Sequence, residues 1–173
     1  MIYIIGDLHF NEPGITKVDD AKYTFDCEDR RNAYIINKWN SIADRNDTVF
    51  INGDIGVNLV DIIPRLNGIK NLIIGNHDII NPRGYMEIGF NNVYDHPIVL
   101  DDFYIISHEP MYVSEQSPYA NIFAHVHNNP TYKTLSSRSF CTSGCRHDYA
   151  PISFEKIKVA IAEEAEKEND RSE

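Results

Sequence analysis

The feature that most constrains this chain is where its histidines and carboxylates fall relative to its apolar runs. Five short runs, at residues 2–5, 48–51, 70–74, 103–107 and 121–124, each end at the carboxyl side in a cluster of metal-capable side chains. In chain order the clusters are Gly6-Asp7-Leu8-His9, Asn52-Gly53-Asp54, Gly75-Asn76-His77-Asp78, Ser107-His108-Glu109 and Ala124-His125-Val126-His127. Short apolar runs bounded by turn residues read as strands, and the unbroken apolar character of the first three predicts strands covered on both faces. In an open α/β sheet the carboxyl ends of parallel strands share one edge, where ligands bind. Residues as distant in sequence as Asp7 and His127 can therefore meet in one cleft. Glycine beside a ligand lets the backbone turn where a side chain would crowd the site.

Around these runs the pattern predicts an α/β domain over residues 1–173. Further strands are expected at 97–100 and 138–142, with a weaker one at 132–135. A helix is expected over 28–43, where Ile35, Ile36, Trp39, Ile42 and Ala43 recur at helical spacing, and a shorter one over 59–66 whose end Pro64 disturbs. The last helix should start at Ser153 as N-cap, align Phe154, Ile157, Ile161 and Ala165, and fray over 166–173. Residues 10–26 and 79–96 read as long connections of the kind that usually bind something.

Composition narrows the function. With 16 Lys+Arg against 26 Asp+Glu the chain carries a formal charge of −10, which disfavours extensive binding to duplex nucleic acid. There is no apolar run long enough for a membrane helix and no secretory pattern after Met1, so a cytoplasmic location is expected. The three cysteines cannot all pair. Cys141 and Cys145 make half a zinc site at most, with a Ser143-Gly144 turn between them. His96 and His147 lie outside the clusters and read as surface residues. Asp19-Asp20 and Asp101-Asp102 read as solvated turns.

The donor set is chemically coherent. Asp7, Asp54, Asn76, His9, His108, His125 and His127 offer mixed nitrogen and oxygen ligands, too many for one ion. Two divalent ions could use them if one carboxylate bridges. First-row divalent ions such as manganese, iron or zinc accept this mixture, whereas magnesium and calcium prefer oxygen throughout; manganese is the expected ion, with iron, zinc, nickel or cobalt as other candidates. Two ions about 3.5–4 Å apart can deprotonate a water at neutral pH and hold phosphate oxygens as charge builds.

The five ordered blocks, Gly-Asp-x-His, Gly-Asp, Gly-Asn-His-Asp, a lone His and His-x-His, resemble the calcineurin-like metallophosphoesterase superfamily, in particular its small bacterial and phage-type members. Trp39-Asn40 and the Pro151–Phe154 step into the last helix add to the likeness. The resemblance implies a two-sheet β-sandwich flanked by helices. It implies that Asp7, His9, Asp54 and His127 hold one ion, that Asp54, Asn76, His108 and His125 hold the other, and that Asp54 bridges. It assigns His77 to the scissile phosphate as a catalytic residue, its ring oriented by Asp78 or by a metal-site carboxylate. Ala124 replaces a glycine usual before His-x-His. Gly53-Asp54-Ile55-Gly56 lacks the Asp-Arg-Gly of phosphoprotein phosphatases, which argues against a phosphoprotein substrate.

The activity so implied is hydrolysis of a phosphoester, a diester in preference to a monoester, or of a phosphoanhydride, by in-line attack of metal-activated hydroxide. The expected partner is a small phosphate-containing molecule, such as a nucleotide or short oligonucleotide. Competing readings are a metal-binding scaffold with little turnover and a nuclease acting on strand ends. Arg30, Arg31, Arg83, Arg138 and Arg146 are the cations that could grip phosphate, and Tyr23 and Phe25 could stack on a base.

Overall fold

The apolar runs form two mixed sheets. The computed structural model describes residues 1–15, 25–114, 116–132 and 136–172. The first sheet contains β1 (Ile2–Ile5), β2 (Thr48–Asn52), β3 (Ile69–Ile73), β4 (Asn92–Tyr94) and β9 (Ile152–Ser153), in the order β4-β3-β2-β1-β9. Its first four strands are parallel and β9 runs antiparallel to β1. The second contains β5 (Ile98–Leu100), β6 (Tyr104–Ile106), β7 (Ala120–Phe123) and β8 (Ser139–Cys141), in that order, with β6, β7 and β8 parallel. The strands that precede the five clusters are thus β1, β2, β3, β6 and β7, all inside parallel arrays.

Each sheet buries a different set of side chains. Ile5, Ile51 and Leu72 pack with Ile35, Ile36 and Trp39 of α1 (Glu28–Asn40), so helical spacing on α1 meets a buried strand face. Ile4, Phe50 and Ile73 of the first sheet share a second cluster with Ile106, Ala120 and Ile122 of the other. Phe154, Ile157 and Ile161 of α3 (Phe154–Ser172) close that cluster. Burial of an aliphatic or Phe side chain contributes about 1.5–3 kcal/mol, and these clusters make the sheets a rigid frame for what lies at their edges. No helix among the described residues is long and apolar enough to cross a membrane.

Several expectations are corrected. Residues 79–96 are not one connection: Asn81 caps the short helix α2 (Pro82–Glu87) by accepting from the Gly84 N–H at 3.0 Å, and β4 follows. Pro64 limits 59–66 to two 3-10 turns, Leu59–Asp61 and Ile63–Arg65. Helix α1 stops at Asn40, which leaves Ile42 exposed rather than on the apolar face. Residues 166–172, expected to fray, continue α3, a run rich in the good helix formers Glu and Lys. Ser153 ends β9 and also accepts from the Lys156 N–H at 3.3 Å, so one residue serves both strand and cap. Asp101 and Asp102 form the left-handed turn between β5 and β6. Tyr132 lies in a 3-10 turn, and 133–135 fall outside the described residues, as do Asp19, Asp20 and Tyr23.

Candidate metal centre

At the carboxyl ends of the parallel strands the backbone leaves the sheet abruptly. Asp7, His9, Asp54, His125 and His127 all have left-handed φ values, from 43° to 68°, in a region that costs non-glycine residues about 1–3 kcal/mol each. Hydrogen bonds hold them there. Asp7 N–H donates to Gly53 O at 3.1 Å and His9 N–H to Asp54 O at 2.9 Å. Asp7 Oδ1 accepts from His125 N–H, and Asp54 Oδ1 from His77 N–H, each at 2.9 Å. Gly53 is required twice over, by its φ of +92° and because a Cβ there would lie 2.1 Å from His108 Nδ1.

One buried side chain stitches the two sheets together at this edge. Asn52 donates through Nδ2 to Ser107 O at 3.2 Å and accepts through Oδ1 from the Thr142 hydroxyl at 2.9 Å. The backbone carbonyl oxygen of Asn52 lies 3.0 Å from His108 Nδ1, which fixes the proton on that nitrogen and directs the Nε2 lone pair into the site. Clusters carried by different sheets are thereby brought to one place.

The structure brings together Asp7, His9, Asp54, Asn76, His77, His108, His125 and His127. Asp7, His9 and His127 form one group whose donor atoms lie within 4.8 Å of one another, and Asp54, His108 and His125 form a second. Between them sits Asp54 Oδ2, 3.5 Å from His9 Nε2 and 3.4 Å from His108 Nε2. Asn76 Oδ1 lies 2.8 Å from His108 Nε2 and 3.0 Å from His125 Nδ1. His9 and His127 face each other through Nε2 atoms 3.2 Å apart. His77 lines the same cavity, of about 400 Å³, with its side chain about half exposed.

A divalent cation fits this arrangement. Lone-pair donors converge with little to separate them, and the buried Asp7 Oδ2 has no hydrogen-bond partner among the described residues. Burial pushes the His9 imidazole below its ordinary value, outweighing the opposite pull of Glu12 and Asp54, and so favours the neutral form that binds metal. No cysteine joins a donor cluster among the described residues, and Cys141 is a buried thiol raised by its burial.

Two solved structures are similar to this chain. One is the protein of unknown function AQ665 from Aquifex aeolicus, with a TM-score of 0.70 at 23% identity over 91% of this chain and 97% of that one. What the two share is the fold. The other is the nuclease MPE of Pseudomonas putida, with a TM-score of 0.43 at 22% identity over 73% of this chain and 61% of that one. No protein-family model matches the chain, and no curated protein does.

Other expected residues lie elsewhere. Arg30 pairs with Asp26, Arg83 with Glu87, and Arg138 donates to Ser117 O. Arg146 holds the carbonyls of His127 and Asn129, and buried Arg31 holds those of Leu8 and His9. These last two support the site's backbone rather than face its cavity. Phe25 packs on Tyr34 at 5.4 Å between ring centroids. His147, expected on the surface, is half-buried and stacks on Phe140, while His96 is exposed beside Asp95.

Asp78 does not orient His77. Its carboxylate accepts the N–H groups of Gly75, Asp54 and Ile55 at 2.7–3.0 Å, tying two site turns together, and burial pushes its pKa up to about 6. The carboxylate that touches His77 is Glu12, which sequence reasoning missed. Its burial pushes its pKa upward, but contacts with His9 and His77 outweigh that and hold it below the usual range. The available signal was its place three residues after His9 in the segment expected to bind something. Asn52 stood at a strand end in the sequence, but nothing there marked it as a link between the sheets, since that role depends on both of them.

Proposed function

We propose that this protein is a metal-dependent phosphohydrolase of the calcineurin-like metallophosphoesterase type, a two-sheet sandwich that cleaves a small phosphodiester. The observation that carries this reading is Asp54 Oδ2, nearly equidistant from imidazoles of two separate nitrogen–oxygen donor groups. Asp7, His9, Asp54 and His127 would hold one ion, and Asp54, Asn76, His108 and His125 the other. Such a pair, manganese by preference, supplies Lewis acidity and a water acidic enough to ionise near neutral pH. The chain's own residues do the rest. Asp54 sets the spacing of the two groups, and Asn52 holds the His108 tautomer. His77 reaches into the cavity from the Asn76 turn, where its ring can give a proton to the departing oxygen.

The preference for a diester comes from charge. Among the described residues no Lys or Arg lines the cavity, so none of these adds to the metals in neutralising the second charge of a monoester. Beside Asn76 and His108 a groove of about 310 Å³ presents Ile74, Pro97, Pro110 and Met111 alongside the polar Asp95, His96 and Glu109, a mixed wall that can pack an organic group such as a nucleoside and hydrogen-bond its edges. Long duplexes are disfavoured by the net charge of −10.

The test is hydrolysis of bis(4-nitrophenyl) phosphate and of 4-nitrophenyl phosphate by manganese-loaded protein. The diester should turn over faster, and His77→Ala should lose about 100- to 10,000-fold in rate while binding manganese normally by calorimetry. Full activity of His77→Ala would remove His77 from the reaction. A wild-type protein that binds no divalent ion would end the proposal.

A further inference from the structure

Glu12 makes two contacts that no other side chain lining the cavity makes among the described residues. Its Oε2 lies 2.6 Å from His9 Nδ1 and its Oε1 2.6 Å from His77 Nδ1. The two rings stand edge to face with centroids 5.1 Å apart. His9 offers its other nitrogen, Nε2, to the donor group shared with His127 and Asp54. One carboxylate therefore grips the rear nitrogen of a candidate metal ligand and of the candidate proton donor at once.

The segment that carries Glu12 is built to aim it. Glu12 N–H donates to His9 O at 3.4 Å, closing a local turn. Next to it, Asn11 is left-handed and donates through Nδ2 to Val57 O and Asn58 O at 3.1 and 3.0 Å. Asn32 of α1 donates in turn to Asn11 Oδ1 at 2.6 Å. The turn is thus moored to α1 and to the connection after β2. A third cation among His9, Glu12 and His77 does not suit these distances. Direct contacts of 2.6 Å lie at the short edge of charge-assisted N–H···O bonds, whereas an ion standing about 2.0–2.2 Å from each ligand atom would spread them apart.

We propose that Glu12 is the positioning residue of this site, locking His9 and His77 into one unit so that metal binding and proton delivery share a single support. The inference rests on the proposed function and adds a residue to it. Both histidines must present a proton on Nδ1 to the carboxylate, which leaves Nε2 of each directed at the cavity. A glutamine at this position cannot serve both. Its amide oxygen accepts from one ring, but its NH₂ group would force the other ring to accept and so reverse that tautomer.

The experiment measures manganese affinity by calorimetry and kcat and KM on bis(4-nitrophenyl) phosphate for wild type, Glu12→Gln, His77→Ala and the double variant. Glu12→Gln should weaken manganese binding about 10- to 100-fold, the range found for supporting partners of metal ligands. At saturating manganese it should lower kcat with KM little changed. In the His77→Ala background the amide oxygen is free to accept from His9 alone, so the same substitution should weaken manganese less than in the wild type and take little more from kcat, because the second ring it must serve is gone. Manganese affinity within twofold of wild type in Glu12→Gln would overturn the proposal. So would an equal loss of kcat in both backgrounds. Failure of the wild type to bind manganese would instead strike the dinuclear reading on which this one stands.

Discussion

On β2 and the turn that follows it, three positions separate two opposite kinds of chemistry. Ile51 is fully buried in a regular strand among apolar neighbours. Asp54 is nearly as buried, yet its backbone is left-handed and its carboxylate faces two imidazoles. The backbone turns left-handed in the same way from Ile5 to the buried Asp7 and from Phe123 to the half-buried His125. Strand bodies gain about 1.5–3 kcal/mol for each aliphatic side chain they bury. Strand ends hold strain of about 1–3 kcal/mol per left-handed residue and crowd charged groups together. Stability is made in the bodies and spent at the ends, which is why neighbouring residues on one strand should answer differently to substitution.

The largest expected effect is on turnover. Asp54→Asn should lower kcat by about 1,000-fold or more, roughly 4 kcal/mol of transition-state stabilisation, with metal-free melting temperature close to wild type. If melting temperature collapses instead, the strand end is structural and the contrast fails. Ile51→Ala should do the reverse, costing about 3 kcal/mol in urea unfolding while the folded fraction keeps its turnover. Next comes the cation itself. Manganese at about 100 times its dissociation constant should stabilise the wild type by about 2.7 kcal/mol, seen as a rise in melting temperature. Asp7→Asn should lose most of that rise yet remain at least as stable as wild type without metal, since it removes a buried charge while Oδ1 still accepts from His125 N–H. An undiminished rise would take Asp7 out of the site.

The smallest effect concerns a histidine outside the cavity. Burial lowers the His147 pKa below its ordinary value of 6.5, so the unfolded chain binds the proton more readily than the folded one. Its contribution to stability is complete above about pH 6.5 and is lost as pH falls through the folded value. Unfolding of His147→Gln should therefore lose less stability than wild type between pH 7.5 and 5.5. Equal losses would show that other groups govern the acid limb.

Much of this was legible because strands and turns are local. The apolar runs at 2–5, 48–51 and 121–124 match β1, β2 and β7 to within a residue at each end, since short apolar stretches bounded by polar residues leave little choice. Helix α2 was legible in principle from Asn81-Pro82, a cap followed by proline at the first helical position. The two-residue β9 was not, because it exists only by pairing with Tyr3 and Ile4.

The sequence by itself determined which side chains stand at strand ends and that their chemistry suits divalent cations, because strand period and donor type are properties of short segments. Only the tertiary structure decided that the five ends converge, with His108 meeting Asp54, Asn76 and His125, that Asn52 and Thr142 join the sheets there, that Asp78 braces backbone rather than His77, and that Glu12 reaches both His9 and His77. The physical reason is directional. A hydrogen bond depends on a few tenths of an ångström and on angle, and no spacing along a chain encodes where two distant segments will aim.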